Sequence, residues 1–308
     1  MENNNYKISL VICTYNRAAY LPEALESIKE QTFDTSAFQV IIVDNFSTDN
    51  TALISANFIK DNPAINCKYC FEKNKGLSFA RNRGIDEAEA LVIAYVDDDA
   101  ILSPRFLEEM TIFFNNHPDA VGAGGKVIPK YEKGNEPEWM SQYLNGFVGK
   151  VDHGNDILLF KESMKYPAGC NMAYKKDILK EAGGFNNELK FRSDDKYIFY
   201  KVKAISDKIY YVPGVWLYHY IDSNRLQIQN FKKLFLKTGN EEKKRLISEK
   251  SGVSVLFKKL VEFIFKAGAS LVLFLLFLLK GQYAKGKYIV IAQWCTLTGF
   301  LKKDVFVR

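Results

Sequence analysis

Four short apolar runs separated by helix-spaced segments constrain this chain more than any other feature. Residues 8–13, 40–43, 66–71 and 91–96 are apolar and rich in β-branched or aromatic side chains, as buried strands are. Between them, residues 21–31 carry Leu21, Leu25 and Ile28 on one helical face, with Pro22 in the first turn. Residues 47–58 open with Ser47, Thr48 and Asp49 and then run helical, and residues 77–90 form a third helical segment behind Gly76. Strand alternating with helix predicts an α/β fold with a right-handed, mostly parallel central sheet flanked by helices. In such sheets ligands sit at the carboxyl ends of the strands, so the residues that close these runs are where chemistry is expected.

Past Pro118 the alternation loosens. Residues 121–126, Val-Gly-Ala-Gly-Gly-Lys, read as a strand with close backbone approach. Residues 129–165 are irregular, with Trp139, Tyr143 and Phe147 interspersed. A strand over 171–174, a helix from Lys175 stopped at Gly183-Gly184, a helix over 194–204 and a strand over 209–212 follow.

Charge divides the 308 residues in two. From Arg225 onward there are 17 basic and 5 acidic residues, whereas the rest is net acidic, although the whole chain is only +6. Uncharged runs of 13 residues (267–279) and 14 residues (288–301) lie between lysine clusters at 258–259, 280–287 and 302–303. Each run is shorter than the roughly 20 residues a spanning helix needs. Keeping all three clusters on one side predicts helices in the interface, or a re-entrant hairpin, on the anionic cytoplasmic leaflet; a soluble helical subdomain, an oligomer interface and a pair of tilted spans are the alternatives. Basic residues alternating with long apolar runs suit lipid and not nucleic acid. The expected division is a catalytic domain over 1–225 and a basic, apolar helical region over 226–308.

Five scattered cysteines, a polar and acidic N-terminus without a signal-peptide pattern and no completed zinc motif fit a reducing compartment. Cys67 and Cys70 have CxxC spacing, but alternation with Tyr69 and Phe71 reads as strand.

Asp97-Asp98-Asp99 closes the fourth strand. Three carboxylates there repel one another and are costly to desolvate, and a divalent cation with oxygen ligands relieves both problems. Solvated acids opening the next helix, at Ser103-Pro104, are the alternative. Thr14, Tyr15, Asn16 and Arg17 follow the first strand and bring donors, an aromatic face and a fixed cation, a set suited to a nucleobase and a phosphate. No GxGxxG follows that strand, which argues against a dinucleotide enzyme. Asp44 ends the second strand, where a carboxylate can accept from a base N–H or ribose hydroxyls. Asn74, Gly76 and Arg81 belong to a dense segment running to Gly84, in which Gly76 permits a tight turn. Arg81 would point a cation at the crevice or pair on the surface with Asp86 or Glu87.

Taken in order, Thr14–Arg17, Asp44 to Asp49, Asn74–Gly84 and Asp97-Asp98-Asp99 resemble the nucleotide-binding half of family 2 glycosyltransferases, which have a GT-A fold. Pro167 to Ala173 resembles that family's acceptor-side loop, and Gly183-Gly184-Phe185-Asn186 with Ser193-Asp194-Asp195 resembles the segment ending in its Glu-Asp pair. The resemblance covers roughly residues 6 to 220. It implies metal-dependent, inverting transfer of a sugar from a nucleotide-diphosphate sugar, UDP by family default. The acceptor would be a hydroxyl of a lipid-linked or growing glycan in bacterial surface polysaccharide synthesis. Thr14, Tyr15, Asn16, Arg17, Asp44, Asn74, Gly76, Arg81, Asp97 and Asp98 would bind the donor. Asp99, with Asp98 and His219, would hold Mn²⁺ or Mg²⁺, leaving Asp97 structural; a hydrogen-bonded core histidine is the alternative for His219. Asp195 would be the base, with Asp194 beside it, and Gly169, Asn171 and Trp139 would face the acceptor. Two departures stand out: Asn45-Phe46 replaces the commoner Asp-Gly, and Asp194 stands where Glu is usual. A nucleotide-sugar-binding or scaffold protein without catalysis is the alternative of another class.

Overall fold

Strands covered on both faces need no polar side, and the first half of the chain is built this way. In the computed structural model, which describes residues 6–161, 164–189, 193–249 and 252–302, the strand β1 (Ile8–Thr14) leads to α1 (Leu21–Lys29), β2 (Phe38–Asp44) and α2 (Thr51–Asp61). Then come β3 (Cys67–Phe71), α3 (Leu77–Glu87) and β4 (Val92–Asp97). All seven residues of β2 are buried. β1 pairs in parallel with β2 and β4, and β2 with β3. Thr14 therefore lies opposite Asp44, and Cys13 opposite Asp97, which aligns the strand ends. Gly76, at φ 144°, makes the turn into α3 in a conformation only glycine adopts readily.

The second half adds β5 (Ala100–Leu102), α4 (Phe106–Asn116), β6 (Gly122–Tyr131), β7 (Leu158–Leu159), β8 (Met172–Lys175), α5 (Lys176–Glu181), α6 (Asp194–Ile205) and β9 (Ile209–Ile221). The sheet order is β3-β2-β1-β4-β8-β6-β9-β5, with β7 on β9. The sheet is mixed: β4–β8, β6–β8, β5–β9 and β7–β9 are antiparallel pairs. Direction matters for the site. Because β8 runs against β4 with Tyr95 opposite Met172, the residues just before β8 arrive beside the aspartate triplet. At Gly125 a Cβ would lie 1.7 Å from the Val215 carbonyl oxygen, the close approach expected of the glycine-rich strand.

Alternation along β1 sends Ile8, Leu10 and Ile12 into one buried cluster with α1 and α4, and Val11 into another with α3 and α6. The five cysteines are free thiols, and burial pushes the thiols of Cys13 and Cys67 up to about 12, which keeps them protonated and unreactive.

Chain contacts divide the protein into two units. The first, residues up to 129 with 149–189 and 194–220, contains the sheet. The second comprises residues 130–148 with the chain from 221 onward, and holds α7 (Ser223–Leu226), α8 (Ile228–Ser248), α9 (Val253–Leu279) and α10 (Tyr283–Leu301). Phe147, Phe231, Ile289 and Ala292 form its core.

Among the described residues α9 alone is long and apolar enough to cross a membrane: it has 27 residues, and its most apolar 18-residue stretch has a mean hydropathy of 2.1 and is mostly unburied. The uncharged run 267–279 is too short to span by itself, and extending it toward Leu260 takes in Glu262 and Lys266. The helix continues through those charges because Glu262 is paired with both Lys259 and Lys266 along it. Lys303 of the last basic cluster and the polar N-terminal residues 1–5 lie outside the described residues.

Candidate active site

The carboxyl ends of β1 to β4 carry the residues that the sequence singled out, and β8, α6 and β9 bring others to them. Asp97 ends β4 and Asp98-Asp99 make the turn into β5, and across that turn Asp97 and Asp99 come together while Asp98 faces elsewhere. His219 joins the first pair from β9, whose register sets it opposite Ala100, and the Tyr220 N–H donates to the Asp99 carbonyl at 2.9 Å. One ligand atom from each of Asp97, Asp99 and His219 lies within 4.8 Å of the other two. His219 Nε2 is 3.4 Å from Asp99 Oδ1, a buried oxygen that accepts no hydrogen bond among the described residues. Two carboxylates, one of them with an oxygen left without a hydrogen bond, and an imidazole fit a hard divalent cation such as Mn²⁺ or Mg²⁺. The structure thus gathers Asp97, rather than Asp98, with the other two candidate ligands.

Asp98 faces Arg17, whose Nε donates to its Oδ1 at 3.2 Å while Nη2 pairs with Asp99 Oδ2. The Arg17 guanidinium also lies 3.9 Å over the Tyr20 ring, a partner absent from the sequence reading although it stands three residues along. Burial pushes the Asp98 carboxyl up to about 7, against the opposing pull of Arg17.

Arg81 is buried and makes no pair with Asp86 or Glu87. Its Nη1 binds Asp194, its Nη2 donates to the Gly169 carbonyl at 3.1 Å, and Nη2 lies 3.6 Å from Asp97 Oδ1. Burial works to lower this guanidinium's pKa, but Asp194 and then Asp97 outweigh it and hold it above its ordinary value. One cation therefore ties α3 to the start of α6, the loop before β8 and the triplet. Asp194 is buried against it, while Asp195, next in the first turn of α6, is partly exposed and accepts from the Lys196 N–H at 2.7 Å.

Asn171 is fully buried, and its side-chain amide donates to the carbonyls of Lys126 and Val215 at 3.2 and 3.1 Å. It locks the strands behind the Gly169 loop. Trp139 belongs to the second unit, where it stacks on Tyr288 with ring centroids 4.2 Å apart.

Around the ends of β1, β2 and β3 a polar lattice fixes the loops. Asp44, buried, accepts from the Ser47 N–H and from the Tyr69 hydroxyl, each at 2.8 Å. The Asn45 side chain spans the Asn74 carbonyl and the Gly76 N–H, each at 2.7 Å. Asn16 donates its N–H to Ser47 Oγ and accepts from the Thr48 N–H. Thr14 is buried at the end of β1 and Tyr15 is exposed beside it. Asn45 and Tyr69 were not among the sequence candidates; Asn45 stood out only as a departure from Asp.

Fold and site together define a GT-A type α/β domain, a mixed sheet with an acidic cluster at the end of its parallel half. Residues 9–183 match the family model of Glycosyl transferase family 2, more than half of the chain, and the chain belongs to that family. It is similar to the glucosyl-dolichyl phosphate glucuronosyltransferase of Haloferax volcanii, with 27% identity over 210 residues, 68% of this chain and 64% of the relative. It is also similar to the poly(ribitol-phosphate) β-N-acetylglucosaminyltransferase TarS of Staphylococcus aureus, with 24% identity over 219 residues, 67% of this chain and 35% of the relative. The chain thus spans less than two thirds of either relative. Among solved structures, the mannosyltransferase PcManGT of Pyrobaculum calidifontis with GDP-Man and Mn²⁺ has a TM-score of 0.63 at 15% identity, over 95% of this chain and 87% of that one. TarS of Staphylococcus aureus with UDP-GlcNAc has a TM-score of 0.55 at 17% identity, over 94% and 90%. At these identities the likeness concerns the fold.

Proposed function

We propose that this protein is a metal-dependent, inverting glycosyltransferase. It would move a sugar from a nucleoside diphosphate sugar, UDP-linked by family default, to a hydroxyl of a lipid-linked or growing glycan in surface polysaccharide synthesis. The observation that carries the reading is the convergence of Asp97, Asp99 and His219 at the strand ends, one cation away from the start of α6.

Asp97, Asp99 and His219 would hold Mn²⁺ or Mg²⁺, which when bound supplies charge neutralisation for a diphosphate leaving group. Asp195 takes the proton of the acceptor hydroxyl as that oxygen bonds the anomeric carbon. The bond from that carbon to the diphosphate oxygen breaks on the opposite face, so configuration inverts. Asp194, held by Arg81, fixes the backbone from which Asp195 projects. The Haloferax relative acts on glucosyl-dolichyl phosphate and TarS on poly(ribitol-phosphate), which supports an acceptor of lipid-linked or polymeric kind. The exposed apolar surface of α9 and the lysines around it support residence of the 226–308 region at the cytoplasmic membrane face.

A thermal-shift panel of UDP and GDP with Mn²⁺ or with EDTA tests the donor side. We expect stabilisation that needs the metal, reaching about 2.7 kcal/mol at a hundredfold excess over Kd, and its loss in Asp99→Asn. Equal stabilisation in EDTA would contradict the metal assignment. Flotation of the full chain with phosphatidylglycerol vesicles tests the membrane side: the protein should rise with the lipid, and protein left at the bottom of the gradient would refute that placement.

A further inference from the structure

Phe46 holds a backbone conformation that a bulky residue rarely adopts, with φ 71°. It is pinned on both sides. Before it, Asn45 donates its N–H to the Thr14 carbonyl at 2.8 Å and bridges Asn74 and Gly76 through its side chain. After it, the Ser47 N–H is held by Asp44, and Ser47 Oγ by the Asn16 N–H. Strain of this kind persists only where the surroundings over-determine it, and such positions cluster where ligands bind.

The strain does not serve the core. The ring is 37% exposed, and the ring it meets, Phe71 at 5.7 Å, is 51% exposed. Tyr15, 45% exposed, stands on the adjoining loop. The Lys75 ammonium lies 4.8 Å from the Phe46 ring centroid, 5.5 Å from that of Tyr15 and 3.5 Å from the Tyr15 hydroxyl. Two exposed rings that share the Lys75 ammonium over their faces, with the Tyr15 phenol beside it, form a surface for a flat, carbonyl-bearing ring once that flexible side chain swings aside. The surface continues along residues 15–17 into the Arg17, Asp98 and Asp99 cluster. Asp44 behind them is buried and accepts from the Ser47 N–H and the Tyr69 hydroxyl, whereas the two rings are exposed and offer face contact.

We propose that Phe46, strained and exposed beside Tyr15 and Lys75, is a stacking surface for the donor's nucleobase and sets how strongly this chain holds it. The inference rests on the nucleotide-sugar reading above. Stacking accepts any base, so the gain is in affinity and is shared by uracil and guanine.

Titrating the full chain with UDP, GDP and inorganic pyrophosphate in Mn²⁺ tests it, comparing wild type with Phe46→Gly and Phe46→Leu. Phe46→Gly should weaken UDP and GDP about fivefold or more, leave pyrophosphate unchanged, and keep or raise Tm because glycine accepts the positive φ. Phe46→Leu should fall between. Unchanged nucleotide affinity together with a lowered Tm would make the ring a packing residue and overturn the proposal while leaving the donor reading intact. An equal loss for pyrophosphate would overturn it by showing a disturbed diphosphate site. A wild type that binds neither nucleotide would overturn the proposal together with the donor reading.

Discussion

Asp195→Asn is expected to slow sugar transfer by roughly 10²–10⁴-fold, the usual worth of a positioned general base, while nucleoside diphosphate binding stays at its wild-type level. Asparagine has the same shape and can still accept the Lys196 N–H that Asp195 accepts at 2.7 Å, so the first turn of α6 keeps its geometry. What it loses is the capacity to take a proton. Asp194→Asn should behave differently, because that carboxylate is buried against Arg81 and its loss disturbs the fold as well as the rate. Retained turnover in Asp195→Asn would remove the base from this residue. Weakened nucleotide binding in the same variant would mean that it acts on the donor side instead.

Arg81→Ala is expected to cost about 3–5 kcal/mol of folding stability, because it leaves the Asp194 carboxylate buried without its cation. Arg81→Lys keeps the charge, but one ammonium cannot reproduce the fork that reaches Asp194, the Gly169 carbonyl and Asp97 together, so it should rescue only part of the loss. A double variant, Arg81→Met with Asp194→Asn, removes both charges and should recover much of the stability, since the single loss is mostly an unpaired charge. Urea unfolding of the four proteins measures this. A loss below about 1 kcal/mol in Arg81→Ala would place the pair among surface contacts and contradict the buried arrangement.

β1, β2 and β4 are legible because strands buried on both faces write themselves as apolar runs, β3 at the sheet edge through its aromatic and cysteine alternation, and the helices between them through period 3.6. β9 was read only over 209–212, because Pro213-Gly214 looks like a break; the strand in fact runs from Ile209 to Ile221. The antiparallel return of β8 could not be read locally, since direction is set by long-range pairing. The site divides in the same way. The triplet, Arg17, Asp44 and the Asp194-Asp195 pair are visible as polar residues that end or begin elements. Which residue meets which is another matter. Arg81 and Asp194 are 113 positions apart, and His219 reaches Asp99 through a register that no periodicity announces. The gathering of Asp97 with Asp99 is made by the turn at Asp98-Asp99 between β4 and β5, which the apolar pattern does not announce; the family resemblance pairs Asp98 with Asp99 as ligands and leaves Asp97 structural.

Metal-dependent sugar transfer would show itself in donor turnover. The protein would be incubated with a panel of UDP- and GDP-sugars and a lipid-linked glycan acceptor, and release of nucleoside diphosphate followed with Mn²⁺, with EDTA, and with Mn²⁺ restored after EDTA. Acceptor-dependent release that stops in EDTA, returns with Mn²⁺ and is lost in Asp99→Asn is the predicted result. Release that proceeds undiminished in EDTA, or in Asp99→Asn, would contradict it.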